Sequence, residues 1–521
     1  MRRRRFWSGL ALALLMVLTA GAPTVPAQSA STLVVGLVAE PVALDPAQVT
    51  DLNSNRVGRR VVETLVAFAD ESTQIVPGLA ESWTISKDGL TYTFKLRKGI
   101  AFHDGTPFNA AAVKFSIERQ INPEHPANKL GKYPFAAYFF GNVKAVEVMD
   151  ETTVRFVLKE PRASFLAVMT AGAASIVSPT AAMKSGQDYA VSPVGTGPFK
   201  FASWDRGQRV VLEKNPGYWR YPVKVDRVIF RPVTEDQARL TELLTGALDL
   251  IVGTPPDFVA QLENHPKVTL QKQVGAHVWY LGFNNTKKPF DDKRVRQALN
   301  YAVNKDAIVR DVLKGTGSVS KGPVLPGTWG DEAGLKPFPY DPERAKKLLA
   351  EAGLPSGFTT TLWVPESGSG MQSPVAMSTI IQSNLKAVGV NVTLQTMEWG
   401  TFLAKLRTKE QDMFALSWMA GSEDPDLVMY PLLHSSQWTP VGPNRAMYKN
   451  ARFDEVLSQA RLVTDQAKRA ELYREAQRLL HDDPPWIFID HEVQTAAFAK
   501  RVQGFKLHPS FDLRLETISL K

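Results

Sequence analysis

The chain has 521 residues, 44% of them hydrophobic, with a formal net charge of +9 and no cysteine. That length predicts two or three domains around a sizeable core, and basic residues mixed with acids throughout argue against a nucleic-acid-binding stripe. Without cysteine there are no disulfides, no thiolate metal sites and no cysteine nucleophile.

Residues 1–27 read as an export signal. Arg2 to Arg5 form a positive n-region, Leu10 to Leu18 a short apolar core, and Val25-Pro26-Ala27 a small-residue cleavage site. The apolar stretch is short for a membrane span; an N-terminal anchor helix is the alternative, and Arg3-Arg4-Arg5-Phe6 partly matches a twin-arginine signal. Removing the four arginines lowers the charge from +9 to +5. No later run of about eighteen apolar residues occurs, and no cysteine is present to carry a lipid anchor. The expectation is a soluble periplasmic chain beginning near Gln28.

Ser31 to Val38 is an apolar, β-branched run suited to a strand buried on both faces. Thr91 to Arg97 alternates Tyr92, Phe94 and Leu96 with polar residues, and Thr153 to Lys159 repeats the pattern with Val154, Phe156 and Leu158; both predict half-buried strands. Between them Asn109 is placed to cap a helix carrying Val113, Ile117 and Ile121. Val194-Gly195-Thr196-Gly197-Pro198 lacks the Gly-Lys-Ser/Thr of a phosphate loop and reads as a structural turn.

Beyond residue 290 the pattern is α/β. Asp292 caps a helix with Val295, Ala298, Leu299 and Ala302 on one face, with Gly315 as a later stop. Asp341-Pro342 opens another that ends at Gly353. Thr359 to Val364 extended, Val375 to Val388 helical and Val390 to Met397 extended make a strand-helix-strand unit. A helix over 401–407 then leads to a strand from Met413 to Trp418. Ligands of open α/β sheets gather beyond the carboxyl ends of the strands, so the loops 365–370 and 419–424 are expected to face one cleft.

No catalytic constellation accompanies this pattern. Ser367, Ser369 and Ser373 sit in a glycine-containing loop without a G-x-S-x-G elbow, which leaves a secreted hydrolase as a remote alternative. The eight histidines show no metal-binding spacing; His434 and His491 are the two near the expected cleft. No metal, cofactor or catalytic residue is expected.

The block Leu79 to Arg119, with SWTISKDGLTYTFKLRKGIAFHDGTPFN at its centre, resembles the signature region of the peptide and nickel class (family 5) of periplasmic solute-binding proteins. Val194 to Trp219, Tyr280 to Ile308, Glu423 to Ser436 and the closing AQRLLHDDPPWIFIDH agree in order and spacing. The resemblance implies a type II-like, two-lobed α/β protein with an extra α+β domain, hinged between the lobes. It implies a first lobe of residues 31–65, 190–283 and 490–521, an extra domain of 66–189 and a second lobe of 284–489. The implied function is a monomeric binding component that captures a peptide or peptide-like solute and delivers it to an ABC-type permease and ATPase. The alternatives are a non-peptide solute such as an oligosaccharide, an opine, glutathione or chelated nickel, and a chaperone-like binder of unfolded segments.

By the same resemblance Trp279, Tyr280 and Trp418, with Met419 beside it, match aromatic ligand-shell positions; core burial is the alternative reading for each tryptophan. Dipeptide binders of the family hold the ligand's amino terminus with an aspartate and its carboxylate with an arginine. Gly421 falls at the aspartate's position, and Ser367 or Gly368 at the arginine's. Both charges of that clamp are therefore expected to be absent unless Glu423, Asp424 or Arg445 substitutes for them. Asp424-Pro425-Asp426 also suits a simple turn.

Overall fold

A computed structural model describes residues 31–368 and 370–521; the expected signal lies outside them. Within the described residues the apolar side chains gather into three main cores. One joins residues 33–62, 177–252 and 496–518, a second is built from 65–176 with Leu427 added, and a third spans 278–489.

The first and third cores share a twelve-stranded sheet. On the side of the third core its order is Val390–Met397, Phe358–Pro365, Met413–Met419 and His277–Phe283. On the other it is Leu250–Val252, Thr32–Leu37, Arg227–Pro232, Arg209–Lys214 and Phe199–Asp205. Between the two halves runs the strand Trp486–Ala499. Its first residues pair with His277–Phe283, as Gly282 with Trp486, and its last with Val268–Val274, as Val268 with Ala499. The chain crosses a second time at Gly275 and Ala276. A β-carbon on Gly275 would lie 2.4 Å from both the Phe511 ring and the Pro509 carbonyl, so only glycine fits this crossing.

The expected alternation of Tyr92, Phe94 and Leu96 is realised. Thr91–Leu96 pairs antiparallel with Thr153–Leu158 in a separate four-stranded sheet, its buried face covered by the helix Ala110–Ile121. The expected caps form as well: Asn109 accepts from the Ala112 amide at 3.0 Å, Asp292 from Arg294 at 2.8 Å and Asp341 from Arg344 at 2.9 Å. The helix expected at 401–407 starts earlier, as Trp399–Lys405, because Glu398 receives the amides of Gly400 and Thr401. Asp424-Pro425-Asp426 does more than turn the chain: it starts the helix Asp426–Leu433.

Two buried charge contacts tie the middle body to its neighbours. Arg119 forks onto Asp45 of the first core at 2.8 and 2.9 Å. Burial pushes the Asp45 carboxyl up, but the Arg119 guanidinium outweighs it and holds the group below its usual value. On the opposite side Asp426 accepts from Ser164 at 2.5 Å and Arg162 at 3.4 Å. Removing one partner of such a pair strands the other in a dry environment. Asp45→Ala is therefore expected to lower unfolding stability by about 3–5 kcal/mol, measured by denaturant titration; a loss within error of zero would contradict the role given to this pair.

Candidate ligand-binding cleft

Where these bodies meet lies a cavity of about 360 Å³. The first lobe contributes the helix Leu52–Gly58 and its flanks, from which Asp51, Leu52, Asn55, Arg56 and Arg59 reach the cavity. Their three- and four-residue spacing sets them on one helical face. Asp512 joins them from the C-terminal segment. The middle body adds Phe135, Tyr138, Phe139 and the stretch Thr170 to Ala173, and the second lobe adds Trp399, Arg407, Trp418, Met419, Gly421 and Arg445.

The aromatic walls are held by their own contacts. Trp418 is the next-to-last residue of the strand Met413–Met419; its Nε1 donates to the Leu427 carbonyl at 2.9 Å and its ring meets Phe135 edge-on at 5.9 Å. Trp399 stacks on Phe402 at 6.0 Å. Gly421 turns the chain at φ +69° with open space where a side chain would project.

Four guanidiniums and two carboxylates line the space. Asp51 caps the helix, receiving the Ser54 amide at 2.9 Å. Asp512 is gripped by Arg60 at 2.5 Å; burial pushes its carboxyl up, but Arg60, Arg59 and Arg514 together hold it well below the carboxylate range. The arginines are less well served. Among the described residues Arg56 has a single 3.5 Å hydrogen bond, to the Phe511 carbonyl, and Arg407 a single 3.4 Å one, to the Pro440 carbonyl. Arg445 donates to the Thr439 hydroxyl and the Gly442 carbonyl. The Arg59 side chain makes no hydrogen bond or ion pair among the described residues. Burial pulls Arg56 and Arg445 down to about 10.

Of the residues expected at the site, Trp418, Met419, Gly421 and Arg445 line the cavity. Trp279 and Tyr280 lie instead in the core, each 1% exposed, because every residue of His277–Phe283 is covered on both faces. Tyr280 stacks on Trp486 at 3.7 Å. Ser367 and Gly368 follow the strand Phe358–Pro365 without reaching the cavity; a β-carbon on Gly368 would strike the Trp399 ring at 2.7 Å, so its missing side chain makes room for that wall. Glu423 and Asp424 border a separate small void of about 20 Å³. Asp424 is claimed by Arg469 at 2.8 and 3.0 Å. His434 sits between the hydroxyls of Ser436 and Ser458, and no group of three or more His, Cys, Asp or Glu among the described residues is arranged to hold a metal. Sequence reasoning missed Arg56, Arg59, Trp399, Arg407 and the middle body's Phe135 and Phe139. The helical spacing of Leu52, Asn55, Arg56 and Arg59 was the available signal for the first two.

Behind the cavity, where Trp486–Ala499 passes between the lobes, four buried titratable groups meet. His277 accepts the Glu492 amide on Nδ1 at 2.8 Å and donates from Nε2 to the Gly370 carbonyl at 2.8 Å, while His491 donates from Nδ1 to the His277 carbonyl at 2.6 Å. Burial holds both imidazoles at about 4, so they are neutral at pH 7. Burial, with Glu492 nearby, pushes Asp490 well above the carboxylate range, and burial also raises Glu492.

Comparison with known proteins agrees with this geometry. Residues 74–440 match the bacterial extracellular solute-binding proteins, family 5 Middle. The heme-binding protein A of Haemophilus influenzae is 38% identical over 499 residues, covering 92% of this chain and 91% of the relative. The glutathione-binding protein GsiB of Pectobacterium atrosepticum is 35% identical, covering 94% of each. Among solved structures, the ABC transporter-associated periplasmic binding protein DppA of Helicobacter pylori, in complex with the peptide STSA, superposes with a TM-score of 0.87 at 33% identity, over 94% of this chain and 98% of that one. The fold and its junction cavity define a two-lobed binding protein of the type that serves ABC importers. The chain belongs to family 5 of the bacterial extracellular solute-binding proteins.

A carboxyl with a raised folded value keeps its proton in the native state where the unfolded chain has lost it. Its contribution to stability is fully present below about pH 4 and is lost as pH rises through the folded value. Asp490→Asn removes that slope. The variant is expected to gain stability relative to the parent between about pH 4 and 7, by up to about 1.4 kcal/mol per pH unit. Parallel pH profiles in chemical denaturation would contradict a protonated Asp490.

Proposed function

We propose that this protein captures a peptide or peptide-like solute in the junction cavity by closing its two lobes, and delivers it to the permease and ATPase of an ABC importer. The observation that carries the reading is that one cavity is walled jointly by the helix Leu52–Gly58, by Phe135 and Phe139, and by Trp399 and Trp418. A ligand touching both lobes binds the closed arrangement better than the open one, and that difference drives closure. The expected lobe boundaries, at 31–65, 190–283 and 490–521 against 284–489, belong to this proposal, as do export from a signal cleaved near Gln28, residence in the periplasm and a monomeric state. So does the absence of catalysis: the ligand is to be released unchanged.

The usual two-ended dipeptide clamp has no counterpart in the cavity. Gly421 offers no side chain, Asp424 is spent on Arg469 and Asp512 on Arg60, so a free ammonium would find only the second oxygen of Asp51, a residue that already caps a helix. A buried charge that lacks its partner costs about 2–5 kcal/mol. A neutral zwitterionic dipeptide such as Met-Leu is accordingly expected to bind weakly. Saturation with a true ligand at about 100 times its dissociation constant should add about 2.7 kcal/mol of stability and make the small-angle scattering profile more compact. Identical profiles with and without saturating ligand would defeat lobe closure. Sub-micromolar calorimetric affinity for Met-Leu, dependent on both free termini, would defeat the missing clamp.

A further inference from the structure

Resting on the solute-binding reading, we infer that the cavity selects a compact ligand with two acidic groups, one met by Arg56 and Arg59 of the first lobe and the other by Arg407 and Arg445 of the second. The four guanidiniums face only two carboxylates, and both have other work: Asp512 is held by Arg60, and Asp51 caps a helix with one oxygen, leaving the other unpartnered among the described residues. None of the four arginines has an ion-pair partner among the described residues, although Arg60, a neighbour of Arg59 that does not line the cavity, has two. An arginine fork matches a carboxylate in two parallel hydrogen bonds.

Placement separates the charges into pairs. Arg56 and Arg59 project from one short helix and its end. Arg407 follows the helix Trp399–Lys405, and Arg445 is near enough that burial first, and then repulsion from Arg407, lowers the pKa of Arg445. Closing the lobes without an anion would dehydrate four cations whose nearby carboxylates among the described residues, Asp51, Asp512, Glu492 and Glu516, all stand beside Arg56 and Arg59 and leave Arg407 and Arg445 with none, a costly arrangement. A zwitterion of one carboxylate and one ammonium satisfies at most one pair and brings a fifth cation. Phe135, Trp399 and Trp418 in the same wall suit a carbon-rich body rather than a bare inorganic anion.

Glutathione, with two carboxylates and one ammonium, its diethyl ester and trialanine serve as probes, in calorimetry on the full mature protein freed of bound ligand by unfolding and refolding. Glutathione is expected to bind, and both the ester and trialanine to bind at least about tenfold more weakly. Arg59→Gln and Arg407→Gln, both on the cavity side and outside the core, are each expected to weaken glutathione at least about tenfold and to flatten the dependence of affinity on salt. Mass spectrometry of solute released on unfolding the natively purified protein is expected to find a species with at least two acidic groups. Equal binding of glutathione, ester and trialanine, or a released solute that is neutral or cationic, overturns the acidic-ligand inference while leaving solute capture intact. Failure of every probe together with no released solute overturns solute capture itself.

Discussion

The arrangement depends on a single run of backbone hydrogen bonds. The strand Trp486–Ala499 gives its first half to the neighbours of the third core and its second half to those of the first. Both lobes are thereby fixed to one extended segment, and among the described residues the other passage between them in this region is the tight crossing at Gly275, wedged against Phe511. Relative motion is confined to bending and twisting about these two strands. The buried, neutral His277 and His491 fill the space beside them, where a charged imidazole would have to be dehydrated.

The cavity follows from this restraint. With the strand ends fixed, the turn after Met419 and the helix Leu52–Gly58 look at each other across the gap, and the middle body closes one side with Phe135 and Phe139. Its walls divide the labour. Aromatic faces supply contact area that tolerates many shapes, whereas the guanidiniums supply discrimination by charge. An apolar-walled cavity with charges set in it does little to fix the middle of its ligand and much to fix its ends.

Much of the fold was legible because it is local. Alternation in Thr91–Leu96 and Thr153–Leu158, the caps Asn109, Asp292 and Asp341, and the strand-helix-strand unit from 358 to 397 each arise within a short window of sequence. The site was only half legible. Trp418, Met419 and Gly421 could be placed because the family resemblance puts ligand-shell positions there and because they lie at or just beyond the carboxyl end of a strand. Trp279 and Tyr280 could not be assigned a direction, since a strand buried on both faces has no alternation to say which side meets the ligand. Asp424 looked available because its partner Arg469 lies 45 residues on. Arg56 and Arg59 needed knowledge of what their helix faces, which only the packing of the lobes supplies.

The contact between Asp426 and Arg162 carries a consequence for affinity at a distance. The middle body is threaded into the first lobe at both of its ends and tied to it by Asp45 and Arg119, while Asp426 belongs to the second lobe. Any parting of the lobes must pull Arg162 from Asp426 and let water reach both. The balance between open and shut forms is then set partly by the hydration of two charges that never touch the solute. Sequence drift at Arg162, Ser164 or Asp426 can retune how tightly a transported molecule is held while the recognition surface stays unaltered, so selection on uptake has a dial separate from selection on specificity.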